Sequence, residues 1–264
     1  MTNFMRVNGV ELYVEPPAGE GELLVLVHGG WTDHNTWAAL VAPLARSFRV
    51  VSYDRRGHSL SERGPGPSPR RQDEDDLAVL VEALDGGPAH LVGTSYGASI
   101  ALALAGRRPE LVRSVVAHEP PLLGEVATPA AEAQFASVQD QIAAGDAEGG
   151  TRRFFEEVIL GPGGWELVPE PVRRAAVANA QTFVDLREDP DWATLDVTAV
   201  GRFPRPLLIT HGDASPSWLP QIALSMADLI GCGSRLIAGA GHAPHHTHPE
   251  ALAAVVEELA VERV

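Results

Sequence analysis

The run His90-Leu91-Val92-Gly93-Thr94-Ser95-Tyr96-Gly97-Ala98-Ser99-Ile100-Ala101-Leu102 decides the fold. It opens as a short apolar strand and, past one serine set between two glycines, becomes an Ala/Leu-rich helix over 96–106. A serine hydroxyl is a weak nucleophile until a base takes its proton. On a sharp strand-to-helix turn it stands exposed, and the helix N-terminus aims N–H groups at any negative charge that develops there. The G-x-S-x-G spacing alone is a weak signal; the strand before it and the helix after it supply the context it needs.

The same alternation extends outward. Two short strands, 4–7 and 10–15, flank Asn8-Gly9, a strong hairpin dipeptide. Leu23 to Val27 is a continuous apolar run, as in a strand covered on both faces. A helix over 34–46 and a strand over 49–53 follow. Leu77, Leu80, Val81 and Leu84 share one helical face, with carboxylates from Asp73 to Asp76 in the first turn to suit the helix dipole. Beyond the serine come strands at 112–117, 206–211 and 235–238 and helices at 218–230 and 248–261. Between 122 and 200 there is helical periodicity without a strand, carrying Phe135, Phe154, Phe155, Trp165, Phe183 and Trp192. Eight strands alternating with helices predict a mostly parallel sheet covered on both faces. The predicted core is 1–121 and 201–264, with 122–200 a helical lid inserted after the sixth strand. Ligands in such sheets bind beyond the carboxyl ends of the strands.

Composition narrows the function. At 264 residues and 45% hydrophobic, the chain suits one α/β domain with an insertion. A net charge of −15 repels phosphate backbones, so nucleic acid is not an expected partner. All 20 basic residues are Arg, which removes Schiff-base lysines and a P-loop lysine. Cys232 stands alone, too little for a disulfide or a cysteine-based metal site. No apolar run approaches about 18 residues, and Met1 leads into no secretory core, so a cytoplasmic protein without a membrane partner is expected. A homodimer is compatible with the sequence.

His28-Gly29-Gly30-Trp31 closes the third strand. A loop of small residues there can aim the Gly30 N–H at the point reached by the Tyr96 N–H, an expected oxyanion hole, with His28 bracing the loop. Arg55, Arg56 and His58 read as loop structure. Together with the opening hairpin, Tyr53-Asp54-Arg55-Arg56-Gly57-His58-Ser59, the Ser95 turn and Gly241-His242, this segment resembles the α/β-hydrolase family over nearly the full length. The resemblance implies an α/β-hydrolase fold and assigns His242 as general base. His245, His246 and His248 lie close by, but without adjacent carboxylates or cysteines no metal site is expected.

The acid departs from the family pattern. His211-Gly212-Asp213-Ala214-Ser215-Pro216 places Ser215 where the family commonly has the orienting Asp, and a serine cannot carry that charge. Asp213, two residues earlier, is one replacement, and no acid at all is another. The favoured replacement is Glu119, at the end of the strand beside the nucleophile strand. His118-Glu119-Pro120-Pro121 resembles the His-Glu segment of zearalenone lactonases, where the glutamate has this role. The expected chemistry is hydrolysis of a small apolar carboxylic ester or lactone on Ser95, His242 and Glu119, with no cofactor. Trp31, Trp165, Trp192 and Trp218 are candidate substrate contacts. The alternatives are a cofactor-free haloperoxidase or perhydrolase, a carbon–carbon bond hydrolase, and a ligand-binding protein with little turnover.

Overall fold

Leu23, Val25 and Val27 of strand β3 (Glu22–Val27) face one hydrophobic core and Leu24 and Leu26 face another, so alternate side chains serve opposite faces of one buried strand. The computed structural model describes residues 3–84, 87–122 and 129–261. Its main sheet joins β3 to β4 (Phe48–Ser52), β5 (Ala89–Thr94), β6 (Val112–His118), β7 (Leu207–Gly212) and β8 (Gly233–Ile237) in the order β4-β3-β5-β6-β7-β8, every pair parallel. Helices α1 (Ala38–Leu44) and α12 (Pro249–Val261) cover one face through Leu40, Leu44, Leu252 and Val256. Helices α2 (Arg70–Ala83), α3 (Tyr96–Arg107) and α10 (Trp218–Ile230) cover the other through Leu77, Leu80, Ile100 and Ile222.

The eight expected strands are present, but not in one sheet. Strands β1 (Phe4–Val7) and β2 (Val10–Tyr13) form a separate antiparallel hairpin. Asn8 and Gly9 both take positive φ, as a tight hairpin turn requires. The chain after β2 touches β4 only through two isolated antiparallel bridges, Val14 with Tyr53 and Ala18 with Val50. Pro16 and Pro17 stand between those bridges and have no N–H to continue a ladder, so the hairpin never merges with the main sheet.

Between β6 and β7 the described residues form six helices: α4 (Pro129–Ala143), α5 (Ala147–Phe154), α6 (Gly164–Leu167), α7 (Glu170–Ala178), α8 (Ala180–Glu188) and α9 (Val197–Gly201), with a π-helical turn over Phe155–Leu160. The expected insertion spans this segment; its first residues, 123–128, lie outside the described residues, as do 1–2 and 262–264 of the expected core. Aromatic contacts seat the insertion on the core, where Trp31 stacks on Phe183 at 5.0 Å and meets Phe154 at 4.9 Å, and others join its own helices, where Phe135 meets Trp192 at 5.8 Å. Each such pair adds about 0.5–1.5 kcal/mol beyond the area it buries. The last helices are α11 (Pro244–Thr247) and α12, and no helix among the described residues is long and apolar enough to cross a membrane.

Candidate active site

Ser95 leaves β5 with φ 53 and ψ −128, a conformation ordinary residues avoid. The flanking glycines make that turn possible. A Cβ on Gly97 would lie 2.1 Å from the Val27 carbonyl oxygen, and one on Gly93 would lie 2.5 Å from the Gly97 carbonyl oxygen. The Ser95 N–H donates to the His118 carbonyl at 2.9 Å, which fastens the turn to β6. Tyr96 is the first residue of α3, so its N–H has no partner within the helix.

The glycine loop after β3 reaches the same place. Ser95, Tyr96, Gly30 and His242 all line one cavity of about 560 Å³. His28 braces this loop as expected: its Nδ1 donates to the Gly29 carbonyl at 2.8 Å, and its Nε2 accepts the Arg55 N–H at 2.9 Å. Arg55 does more than shape its own loop. Its guanidinium donates to the carbonyls of His28 and Gly29, each at 3.1 Å, and to Asp73 Oδ2 at 2.9 Å. Burial and the Arg55 charge push His28 well below the ordinary imidazole range, so it stays neutral and keeps both roles.

Glu119 ends β6 with φ 43 and is fully buried. Its N–H donates to the Thr210 carbonyl at 3.0 Å, holding the bend against β7. Oε1 accepts the Gly212 N–H at 3.0 Å. Oε2 accepts the Ser215 hydroxyl at 2.9 Å and meets His242 Nδ1 at 2.7 Å. Burial alone would raise this carboxyl, but the hydrogen bond and charge of His242, with His118 and the Gly212 N–H, outweigh it and hold Glu119 at about 2. His242 therefore faces a permanent anion on one ring nitrogen and leaves Nε2 for the cavity that Ser95 shares.

Asp213 is turned elsewhere. It is exposed, and Oδ1 accepts the Gly239 N–H at 2.7 Å, capping the turn after β8. The geometry thus brings Glu119, not Asp213, to His242. Of the four tryptophans expected to contact substrate, Trp31, Trp192 and Trp218 line the cavity. Trp165 does not: it packs against Phe155 at 5.1 Å and under Arg173 at 5.9 Å, because helix α6 turns that face inward. Phe154, Phe155, Val158, Ile159 and Leu186 complete a largely apolar wall.

Among the described residues, two clusters have the composition of metal ligands: His118, Glu119 and His242, and Asp33, His34 and Asp54, each with ligand atoms within 4.8 Å of one another. Both are already knit by hydrogen bonds; in the second, Asp54 Oδ1 accepts the N–H and the Nδ1–H of His34, both at 2.7 Å. The polar residue that sequence gave no sign of is Asn179, at the corner between α7 and α8. It is buried, and its amide reaches Trp31, Thr32 and Ser59 of the core. No motif marks it; an asparagine between two helical periods reads simply as a break.

Comparison with known proteins agrees with this architecture. The chain is 36% identical over 121 residues to the Bacillus subtilis hydrolase YraK, a match covering 45% of this chain and 44% of that protein. It is 32% identical over 209 residues to 2-(acetamidomethylene)succinate hydrolase of Mesorhizobium japonicum, covering 75% of this chain and 72% of that one. The solved structure of an enol-lactonase from Burkholderia xenovorans superposes with a TM-score of 0.83 over 98% of this chain and 100% of that chain, at 22% identity, a likeness of fold. With residues 24–255 matching the family as well, the chain belongs to the alpha/beta hydrolase family.

Proposed function

We propose that this protein hydrolyses carboxylic esters or lactones through an acyl-enzyme on Ser95. The observation that carries the proposal is the buried Glu119 carboxylate on His242 Nδ1 at 2.7 Å, in a cavity whose wall includes Ser95. His242 takes the Ser95 proton as Oγ attacks the carbonyl carbon, then returns it to the leaving alcohol. Glu119 fixes the tautomer that leaves Nε2 free to accept and stabilises the imidazolium that forms. The N–H groups of Gly30 and Tyr96 receive the oxyanion. Water, activated by the same histidine, releases the acid. None of these steps calls for a metal or organic cofactor.

The apolar wall supports an apolar substrate, and the insertion acts as its lid. Trp31, Trp192 and Trp218 line the cavity, which supports them as substrate contacts. The Mesorhizobium relative, named as a hydrolase of 2-(acetamidomethylene)succinate, supports hydrolysis as the reaction class. Turnover of 4-nitrophenyl butyrate by the parent and by Ser95→Ala tests the scheme, together with mass spectrometry after a fluorophosphonate. The expected result is an adduct on Ser95 and no turnover above background in the variant. Activity that survives Ser95→Ala, or an adduct on another residue, overturns it.

A further inference from the structure

The loop that carries Gly30 is clamped from two directions. The Gly29 carbonyl and the Gly30 N–H belong to one planar trans peptide and point opposite ways. Arg55 Nη2 at 3.1 Å and His28 Nδ1 at 2.8 Å hold that carbonyl from the core side, and so aim the Gly30 N–H away from themselves. Beyond Gly30, Trp31 takes φ 68, a left-handed conformation that costs an ordinary residue about 1–3 kcal/mol unless its surroundings fix it. What fixes it comes from the insertion. Asn179 Nδ2 donates to the carbonyls of Trp31 and Thr32, each at 3.2 Å.

The same amide holds a second strained residue. Ser59, at φ 43, donates its N–H to Asn179 Oδ1 at 2.8 Å, and its Oγ accepts from Asn179 Nδ2 at 3.2 Å. The Ser59 hydroxyl in turn donates a hydrogen bond to Asp33 Oδ2 at 2.9 Å, two residues beyond Trp31. One buried side chain of the insertion thus ties together two core loops at the positions where each bends against its preference.

We infer that Asn179 is a positioning residue that sets the oxyanion-binding loop only when the helical insertion is seated on the core. This rests on the Ser95 hydrolase reading. An oxyanion donor acts on charge that develops in the transition state and little on the bound ester. Misaligning the loop therefore lowers kcat and leaves KM nearly alone, whereas a side chain that merely shaped the pocket would change KM.

The test measures kcat and KM for 4-nitrophenyl butyrate and the inhibition constant of a short alkyl trifluoromethyl ketone, which adds to the serine as a tetrahedral oxyanion. The proteins are the parent, Asn179→Ala, Asn179→Asp and Ser95→Ala. Asn179→Asp keeps the shape and the acceptor for Ser59 but replaces the donor to both carbonyls, so it carries the test even if the alanine variant fails to fold. The expected result is a fall in kcat of about tenfold or more, short of the 10²–10³ seen when a donor is removed outright. KM should stay within about threefold, and the ketone constant should rise in step with the fall in kcat/KM. A raised KM with parent-like kcat, or an unchanged ketone constant, overturns the inference. An inactive Ser95→Ala beside parent-like Asn179 variants overturns it alone; an active Ser95→Ala overturns the hydrolase reading and this inference together.

Discussion

Ser215 Oγ donates to Glu119 Oε2 at 2.9 Å, the same oxygen that meets His242 Nδ1 at 2.7 Å. The position where the family commonly has its acid is here a donor to Glu119, the acid proposed in its place. This arrangement can be run backwards. Glu119→Gln should lower kcat/KM by at least about 100-fold, against about 10⁴ for the corresponding change in a serine protease. Ser215→Asp should also lose activity, because two adjacent carboxylates in one buried site cannot both ionise. The double variant Glu119→Gln/Ser215→Asp should recover tenfold or more over Glu119→Gln alone. Steady-state kinetics on the four proteins decide it, and a double variant no better than Glu119→Gln would mean that the β7 loop cannot present an acid to His242.

Asp213 gives the contrasting case. Its carboxylate is exposed and holds the Gly239 N–H at 2.7 Å, in the turn after β8. Asp213→Asn keeps an acceptor for that N–H. Its kcat should stay within about threefold of the parent and its stability within about 1 kcal/mol, the range of one exposed hydrogen bond. A loss of turnover comparable to that of Glu119→Gln would move the acid role to Asp213.

The residues that sequence revealed and those it hid differ in kind. Ser95 was legible because glycines on both sides, a strand before and a helix after can be read in one short window. Glu119 was legible as a position, at the end of the strand beside the nucleophile. Its reach was not, because that depends on φ 43 at Glu119 and on donors from Gly212 and Ser215, almost a hundred residues away in the chain. The hairpin was plain from Asn8-Gly9, while its separation from the sheet follows from Pro16-Pro17 interrupting a pairing that only the folded chain reveals. Helical periodicity found the aromatics of the insertion but could not say that Trp165 turns away from the cavity. Asn179 was invisible, since its partners are mostly backbone groups, the Trp31 and Thr32 carbonyls and the Ser59 N–H, and backbone groups carry no sequence signature.

Glycine spacing makes a sharper claim than motif matching does. A methyl on Gly97 would sit 2.1 Å from a backbone carbonyl oxygen of β3, which has nowhere to retreat; a methyl on Gly30 would meet nothing within 4 Å. Gly97→Ala should therefore cost about 3 kcal/mol or more, at or beyond the usual range for overpacking. Gly30→Ala should cost less than about 1 kcal/mol and keep its N–H. Urea midpoints of the two variants check this. Equal losses would mean that the close approach of α3 to β3 is looser than the geometry requires.

Acid should destabilise the fold through its buried histidines. Burial pushes His28, His58, His118 and His245 below the ordinary imidazole range, with His118 reaching about 4. For each, the unfolded chain binds a proton near pH 6.5 while the fold refuses it, so the unfolded state holds more protons and stability falls as pH falls. Each such histidine contributes a slope of about 1.4 kcal/mol per pH unit below 6.5, ending at its folded value. Glu119 adds to this lower down. Its folded value is depressed from 4.5 to about 2, so its contribution is complete above 4.5 and is lost as pH falls toward 2. That contribution amounts to about 3 kcal/mol. Urea unfolding from pH 7.5 to 4.5 should show stability nearly level above about pH 7 and falling steeply below about 6.5. His118→Gln should flatten the slope by about one proton between pH 6 and 4.5, since burial outweighs the pull of Glu119 Oε2, 3.6 Å from His118 Nε2, and keeps the imidazole neutral. A pH-independent midpoint across this range would mean that these imidazoles are reached by solvent or protonated in the fold, and His28 could then no longer accept the Arg55 N–H that helps hold the glycine loop in place.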